Sequence, residues 1–136
     1  MSKPRVRVVA ALIESTTEPG SYLVQQRLPN KSRANKWEFP GGKVEPGETD
    51  AQALAREGHE ELAVELQVGA RVWGTVHEYP DLVVALELYR AAIAQGEPKA
   101  LGAQAVRFAT PKAMRTLDFC EADLPLLEAL EKGLGR

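Results

Sequence analysis

The sequence lacks several features on which particular classes of protein depend. Cys120 is its only cysteine, so an internal disulfide is excluded and a reducing compartment is expected. No apolar stretch approaches the roughly 20 residues that span a bilayer. The apolar run from Val8 to Ile13 is too short for the hydrophobic region of a signal peptide, and Glu14 follows it. We therefore expect a soluble, cytoplasmic protein with no membrane partner.

A strong charge of one sign is also missing. The chain has 17 Lys and Arg against 19 Asp and Glu, which gives a formal net charge of -2 at pH 7. It contains no basic run of the kind that forms a face for duplex nucleic acid, so duplex nucleic acid is not an expected partner. A chain of 136 residues is long enough for one substantial core and too short for two ordinary domains. Residues 1–136 are therefore predicted to form a single domain.

The most informative stretch runs from Gly41 to Val64, where a glycine-rich turn leads into a helix rich in carboxylates. Thr49 is the predicted N-cap of this helix, and Gln52, three residues on, completes a capping box. Apolar residues at helical spacing predict the face that the helix buries. These residues are Ala51, Leu54, Ala55 and Leu62.

Three acids lie on another face of this helix. Glu57, Glu60 and Glu61 are three or four positions apart or adjacent, and like charges so placed destabilise a helix by about 0.2–0.5 kcal/mol per pair. Arg56 can offset part of this repulsion by pairing with Glu60. A divalent cation would offset more, because Mg²⁺ prefers carboxylate oxygens, carbonyls and water. An acidic face alone is usually a solvated surface, so the wider pattern has to decide.

The wider pattern is Gly42, five residues, Glu48, seven residues, Arg56-Glu57, two residues and Glu60-Glu61. It resembles the Nudix box, whose family pattern is G-x5-E-x7-R-E-U-x-E-E-x-G-U with U aliphatic. Agreement of glycine, arginine and glutamate positions over this length favours a functional role for the acids over a solvated face.

Two positions depart from the family pattern. Gly58 stands where an aliphatic residue is expected, which predicts a lost buried side chain and a helix penalty of roughly 1 kcal/mol. Ala63 stands where the pattern has glycine. Alanine is strained in the left-handed conformation that ends many helices, so this helix is expected to be strained there or to end differently.

The rest of the chain predicts five strands and a second helix. The strands are predicted over Arg5 to Glu14, Tyr22 to Arg27, Val64 to His77, Leu82 to Ile93 and Ala105 to Ala109. The helix is predicted over Leu117 to Arg136, with one apolar face formed by Leu124, Leu127, Leu130 and Leu134. Each amphipathic helix needs a sheet face to bury, so the predicted class is α+β, with a mixed β-sheet between the motif helix and the C-terminal helix. The Nudix fold is an α/β/α sandwich of this kind.

Four more segments resemble the MutT branch of the Nudix superfamily, the nucleoside triphosphate pyrophosphohydrolases that include enzymes clearing oxidised nucleotides. They are Gln25-Gln26-Arg27, Lys36 to Lys43, Glu78 to Asp81 and Leu117 to Pro125. The segment between the first two, Leu28 to Lys36, is predicted to be a loop open to solvent. The resemblance therefore covers most of the chain.

The resemblance implies a nucleotide pocket. Arg27 would face the ligand, although a solvated strand end is the alternative. Phe39 would wall the base pocket or belong to the core, with Glu38 pointing away from Phe39. Lys43 could meet a phosphate. Asp123 would read the base edge, unless it is an ordinary helix-start residue.

The resemblance also implies a metal site for Mg²⁺, with Mn²⁺ as the alternative ion. Its ligands would be the Gly41 carbonyl, Glu60 and Glu61, with Glu57 as a third acidic ligand or as the base that activates water. Arg56 would position Glu57, and Glu48 would orient Arg56.

One loop residue departs from similar enzymes, which often carry a further glutamate before the last strand. Gly102 stands where that glutamate aligns, so a ligand or proton acceptor would be missing. Metal binding and catalysis would then depend on Glu57, Glu60 and Glu61.

The expected activity is Mg²⁺-dependent hydrolysis of nucleoside triphosphates to the monophosphate and pyrophosphate. Clearance of oxidised nucleotides such as 8-oxo-dGTP, a DNA repair function, is the first reading, and a CTP or dCTP pyrophosphohydrolase is the alternative. Gly58, Ala63 and Gly102 motivate an alternative of another class, a nucleotide-binding module with weak catalysis. Monomer and homodimer both remain open.

Overall fold

The structure, a computed structural model, describes residues 3–134, which form seven strands, three α-helices and a short 3₁₀ turn. The strands are β1 (Arg5–Ile13), β2 (Tyr22–Gln26), β3 (Trp37–Glu38), β4 (Gly41–Lys43), β5 (Glu65–Glu78), β6 (Val83–Gln95) and β7 (Ala105–Ala109). The helices are α1 (Asp50–Leu62), α2 (Pro111–Met114) and α3 (Leu124–Glu131), and the 3₁₀ turn is Glu121–Asp123. Across this described part no helix is long and apolar enough to cross a membrane.

A four-stranded mixed sheet, in the order β4-β1-β6-β5, forms the centre of the fold. β1 runs parallel to β6, whereas β4 pairs with β1 and β5 pairs with β6 in antiparallel fashion. A smaller antiparallel sheet has the order β3-β2-β7. The predicted mixed sheet is confirmed. The smaller sheet is an addition to the prediction, and it forms because β2 pairs with β3 and β7.

Side chains of β1 alternate between the two faces of the mixed sheet, as the period of a strand requires. Val9, Ala11 and Ile13 pack in a buried cluster with the apolar residues of α1. Ala10 and Leu12 pack in a second cluster with the leucines of α3. The sheet therefore lies between α1 and α3, which confirms the predicted α/β/α sandwich.

The N-terminus of α1 has the predicted capping box. The Gln52 N–H donates to Thr49 Oγ1 at 3.1 Å, and the Thr49 N–H donates to Gln52 Oε1 at 2.9 Å. The predicted buried face is only partly right, because Ala51 and Ala55 are exposed. The sheet instead buries the neighbouring row of the helix, which is Ala53, Leu54, Gly58 and Leu62.

Gly58 does not leave the gap that its small size predicted. A Cβ placed on Gly58 would lie 2.7 Å from Cδ1 and 2.8 Å from Cγ of Leu66. Leu66, in β5, therefore fills the space that an aliphatic residue of the family pattern would occupy. The expectation of a lost buried side chain was wrong, because the missing volume is supplied from the adjacent strand.

Helix α1 ends at Ala63 in the left-handed conformation that glycine would favour. Ala63 has φ 58° and ψ 35°, and its N–H donates to the Gly58 carbonyl. The Val64 N–H donates to the same carbonyl at 3.1 Å. The chain thus keeps the usual helix exit and accepts the steric strain of alanine.

Replacing Ala63 with glycine is expected to raise the free energy of unfolding by about 0.5–1 kcal/mol. Relief of the left-handed strain, about 1–2 kcal/mol, exceeds the extra chain entropy that glycine loses on folding. Ala55→Gly is the matched control at an exposed position of the same helix, where about 1 kcal/mol should be lost instead. Urea denaturation measures both, and a loss of stability in both variants would contradict the strain at Ala63.

The predicted C-terminal helix over Leu117 to Arg136 was too long. The Trp37 N–H donates to the Asp118 carbonyl at 2.8 Å and the Cys120 N–H donates to the Trp37 carbonyl at 2.9 Å, so this segment is bridged to β3 and cannot be helical. Helix α3 begins only at Leu124. Residues 135–136 of the predicted helix lie outside the described residues.

The apolar face of α3 also differs from the prediction at one position. Leu124 is 43% exposed, whereas Leu126 is fully buried together with Leu127 and Leu130. Leu134 is partly buried against the same cluster. Leu124 is the first residue of α3, directly after the 3₁₀ turn, and the core packs against Leu126, Leu127 and Leu130 instead.

Candidate active site

Arg56 is the centre of an ion-pair network that joins α1 to the glycine turn. Its Nε and Nη2 donate to the two carboxylate oxygens of Glu48 at 2.7 and 3.0 Å. Its Nη1 donates to Glu57 Oε1 at 2.9 Å and to Glu60 Oε2 at 3.4 Å, and its Nη2 also donates to the Lys43 carbonyl at 3.0 Å. Hydrogen bonding to Glu48 is the main reason that the pKa of Arg56 is raised further above its usual range. Arg56 is therefore held as a fixed cation.

Glu57 lies between Arg56 and the glycine turn. A Cβ placed on Gly42 would be 2.5 Å from Cδ and Oε1 of Glu57, so the carboxylate fits only because residue 42 is glycine. The Glu57 side chain is 14% exposed. Burial raises its pKa, the hydrogen bond from Arg56 opposes this rise, and Glu61 and Glu60 add to it. A carboxylate in these surroundings is a more effective proton acceptor than a solvated one.

Glu61 lies against the loop that precedes β7. The Leu101 and Gly102 N–H groups donate to the Glu61 carbonyl at 3.1 and 3.2 Å. A Cβ placed on Gly102 would overlap Oε2 of Glu61. The space that a side chain at position 102 would fill is therefore occupied by the Glu61 carboxylate.

The candidate metal ligands do not all lie together. Gly41, Glu57 and Glu61 border one small cavity between the glycine turn and α1, whereas the Glu60 side chain is 54% exposed and faces Arg56. Within residues 3–134 no three His, Cys, Asp or Glu side chains converge on one point at metal-binding distances. This cavity has no room for a water molecule and is also lined by Leu54, Leu62 and Leu66, so it is not itself an ion site, and the donors beside it are the Gly41 carbonyl and the two carboxylates. This donor set fits a hard cation such as Mg²⁺.

A larger cavity, of about 170 Å³, begins at the other side of the glycine turn. The turn itself, Gly41–Lys43, lines one part of it, and Glu38 and Asp123 line another. Apolar side chains of β1 and β6 and the buried ring of Phe39 form walls. Cys120 also lines it, and burial raises the pKa of this thiol to about 12, so Cys120 is a neutral packing residue. The cavity combines apolar walls with convergent polar side chains, as small-molecule pockets do.

Two acids of this pocket, the buried Asp123 and the partly buried Glu38, have raised pKa values. Asp123 is 5% exposed and accepts a hydrogen bond from the Phe39 N–H, and burial, with a further contribution from Glu38, raises its pKa to about 8. Glu38 accepts from Arg27 Nη1 at 3.1 and 3.3 Å and from Gln25 Nε2 at 3.1 Å. Burial raises the pKa of Glu38, and Arg27 opposes the rise. At neutral pH Asp123 is thus mainly a neutral acid that can both donate and accept.

Replacing Asp123 with asparagine is expected to remove a pH dependence of stability. The carboxyl binds its proton more tightly in the folded state, with a pKa of about 8, than in the unfolded chain, where about 3.9 is usual. Its contribution to stability is therefore complete below about pH 4 and is lost as the pH rises toward 8, by up to about 1.4 kcal/mol per pH unit. Urea denaturation from pH 4.5 to 9 tests this. Parallel curves for wild type and Asp123→Asn would contradict the raised pKa.

All four residues predicted to form the pocket line it in the structure, namely Arg27, Phe39, Lys43 and Asp123. Arg27 is held on Glu38 and is not simply a solvated strand end. Phe39 was predicted either to wall the base pocket or to belong to the core, and it does both. Asp123 directly precedes α3 but makes no side-chain capping bond there.

Sequence reasoning missed three residues of the pocket. Alternation along residues 37–39 predicted that Glu38 points away from Phe39, but both side chains line the same pocket. A carboxylate between two aromatic residues of a short strand was the available signal. Arg33 and Tyr79 also line the pocket, and nothing local in the sequence placed their loops beside it.

The fold and the site together define a hydrolase built as an α/β/α sandwich around an acidic helix and a glycine turn. The NUDIX domain family matches residues 9–129, and the chain belongs to this family of hydrolases. Family, fold and hydrolase class are therefore as the sequence predicted.

Individual relatives match over nearly the whole chain. The CTP pyrophosphohydrolase of Escherichia coli strain K12 is 38% identical over 124 residues, which are 91% of this chain and 90% of that protein. The 8-oxo-dGTP diphosphatase of the same organism is 28% identical over 128 residues, which are 94% of this chain and 98% of that protein. The solution structure of the E. coli ORF135 protein aligns with a TM-score of 0.78 and 36% identity, covering 96% of this chain and 91% of that one.

Proposed function

We propose that this Nudix hydrolase converts nucleoside triphosphates to the nucleoside monophosphate and pyrophosphate. The proposal rests on one observation, which is that the pocket and the acidic helix α1 share the glycine turn. The pocket that contains the acids Glu38 and Asp123 is also lined by the turn Gly41–Lys43, and Glu57 packs on the same turn. A nucleotide whose base lies beside Asp123 therefore has its phosphates at the turn, next to the acids of α1.

Nudix hydrolases generally use divalent metal ions, and we propose Mg²⁺, with Mn²⁺ as a substitute. The Gly41 carbonyl and Glu61, which lie near each other at the glycine turn, would hold the ion, and Glu60 would join them by turning away from Arg56. When bound, the ion neutralises phosphate charge and favours attack on phosphorus.

The side chains then divide the chemical work. A water oxygen attacks phosphorus, the bond to the bridging oxygen breaks, and pyrophosphate leaves. Glu57 accepts the proton of that water, and its raised pKa brings it closer to neutral pH. Arg56 holds the Glu57 carboxylate in place and is itself held by Glu48. Lys43, exposed at the end of the turn, donates to a phosphate oxygen.

Asp123 can read cytosine as the base. A neutral carboxylic acid offers a hydroxyl donor beside a carbonyl acceptor, which complements the ring-nitrogen acceptor and amino donor of cytosine, a pattern that adenine shares. The similarity to a CTP pyrophosphohydrolase supports the same choice. CTP and dCTP are therefore the first candidate substrates.

Oxidised guanine nucleotides are the second candidate. The same donor and acceptor of Asp123 also match the O6 acceptor and N1 donor of guanine, an edge that 8-oxo-dGTP shares. The similarity to an 8-oxo-dGTP diphosphatase supports this alternative.

The deciding experiment is a panel of CTP, dCTP, 8-oxo-dGTP, dGTP and dATP with Mg²⁺. Nucleoside monophosphate and pyrophosphate are expected in equal amounts, and kcat/KM ranks the bases. Release of orthophosphate would contradict the proposed bond cleavage. If no triphosphate is turned over, the proposal fails and a binding module remains.

A further inference from the structure

Arg33 occupies a wall of the pocket in a strained conformation. The sequence predicted that residues 28–36 form a loop open to solvent, and for Arg33 this was wrong, because its side chain is only 17% exposed. Its φ is 55°, a left-handed value that strains a residue with a Cβ by about 1–2 kcal/mol. Strain of this kind is often found at ligand-binding positions.

The head group of Arg33 is held on two sides. Its guanidinium carbon lies 3.8 Å from the centre of the Tyr79 ring, a cation–π contact. Its Nη2 donates to Asp81 Oδ1 at 2.8 Å. These contacts fix the plane of the guanidinium beside the pocket that both Arg33 and Tyr79 line.

One N–H donor of the Arg33 guanidinium has no acceptor. Arg33 Nε is buried and has no hydrogen-bond partner among residues 3–134. A buried donor without an acceptor typically destabilises a protein by about 1–3 kcal/mol, and more when the group is charged. Because Nε is buried, a ligand acceptor reaches it only when the head group shifts toward the pocket, and that pairing would remove this penalty.

The position of Arg33 relative to Asp123 suggests what that acceptor is. Tyr79, which carries the Arg33 head group, accepts a hydrogen bond from the Ala122 N–H at its Oη at 2.9 Å. Arg33 is thus connected through one side chain to the residue adjacent to Asp123. A base read by Asp123 therefore lies within the same part of the pocket as the unpaired donor.

We propose that Arg33 is a specificity-determining residue whose Nε donates a hydrogen bond to an exocyclic carbonyl oxygen of the nucleobase. The inference rests on the proposed function and narrows its substrate class. Cytosine, uracil, guanine and 8-oxoguanine carry such a carbonyl, whereas adenine does not. Asp123 reads a second part of the same base, and because adenine offers it the same acceptor and donor as cytosine, selection against adenine rests on Arg33.

A purely structural role for Arg33 makes different predictions. Arg33 also links its loop to the turn around Asp81, and loss of that link would weaken every nucleotide alike. Arg33→Lys keeps the charge and the reach to Asp81 but lacks Nε. Asp81→Asn weakens the link and leaves Nε in place. Comparing Arg33→Lys with Asp81→Asn therefore distinguishes a role of Arg33 in recognising the base from a role in holding its loop.

Isothermal titration with CMP, 8-oxo-dGMP and AMP tests the inference without turnover. Arg33→Lys is expected to weaken the tighter of the first two ligands about tenfold, the equivalent of one charged hydrogen bond, and to change AMP binding less than twofold. Asp81→Asn should change all three ligands by the same small factor. Arg33→Gln, which also lacks the Arg33 guanidinium, should reproduce the selective loss.

Three outcomes would overturn the role of Arg33. They are equal weakening of AMP and of the carbonyl-bearing ligand by Arg33→Lys, the same selective loss in Asp81→Asn, and wild-type protein that does not prefer carbonyl-bearing bases. Thermal unfolding of each variant checks that the fold is retained. A wild-type protein that binds CMP or 8-oxo-dGMP selectively but hydrolyses no triphosphate would overturn the proposed function and leave this inference standing.

Discussion

Replacing Glu57 with glutamine is expected to lower kcat roughly 10²- to 10⁴-fold, the usual effect of removing a positioned general base. Glutamine has nearly the same shape, so it can remain against Gly42 and within reach of Arg56. Arg56 also keeps its two contacts with Glu48. The fold should therefore persist, and the lost activity should reflect the missing carboxylate.

Steady-state kinetics with the best triphosphate measures this effect, and KM should change much less than kcat. Glu65→Gln is the matched control, because Glu65 is an exposed glutamate just beyond the end of α1. It should retain nearly full activity. If Glu57→Gln kept more than about a tenth of the wild-type kcat, the assignment of Glu57 as the base would be wrong.

The parts of the fold that were predicted correctly depend on local signals. The capping box of Thr49 and Gln52 involves residues three apart, and the alternation along β1 follows from the period of a strand. The spacing of Arg56, Glu57 and Glu60 likewise follows from the helix. These features could be inferred because each is determined by neighbours in sequence.

The wrong predictions involve partners that are distant in sequence. Helix α3 is short because residues 118–120 are bridged to Trp37, more than 80 positions earlier. Ala55 is exposed and Ala53 buried because packing on the sheet chooses one of two neighbouring rows, which periodicity alone does not distinguish.

In the candidate site, too, the residues found from sequence depend on local spacing, and the residues that were missed depend on distant partners. The acids of α1 were found from their spacing, whereas the roles of Glu38, in the two-residue strand β3, and of Arg33, in a loop, became visible only in the tertiary fold. A side chain in a loop or in so short a strand carries little periodic signal, and its role depends on which element the tertiary fold brings beside it. The unpaired Nε of Arg33 is a property of that placement and has no counterpart in the sequence pattern.

Adding a side chain at Gly102 is expected to reduce kcat about 10- to 100-fold. From sequence, Gly102 marks a missing glutamate, so Gly102→Glu would be expected to restore a ligand and raise activity. The structure predicts the opposite, because a Cβ at this position overlaps the Glu61 carboxylate. Misplacement of a reacting or metal-binding group by about 1 Å can lower the rate about 100-fold.

The backbone itself should tolerate the change. Gly102 does not have a positive φ within residues 3–134, unlike Gly41, Gly47 and Gly96, and the atoms it would displace belong to the flexible end of Glu61. Gly102→Ala should therefore fold with nearly normal stability while its Glu61 carboxylate is displaced. Leu101→Ala, at an exposed position of the same loop, is the control and should leave activity unchanged.

Binding of Mn²⁺ without substrate, followed by electron paramagnetic resonance, gives a readout separate from turnover. Gly102→Ala and Gly102→Glu should both weaken it if Glu61 is a ligand. Adding Glu61→Asp to Gly102→Ala shortens the displaced side chain, so the two changes together should reduce kcat by less than the product of their separate effects. A gain of activity in Gly102→Glu would instead support the missing-ligand interpretation, because the new carboxylate would then have found room beside Glu61.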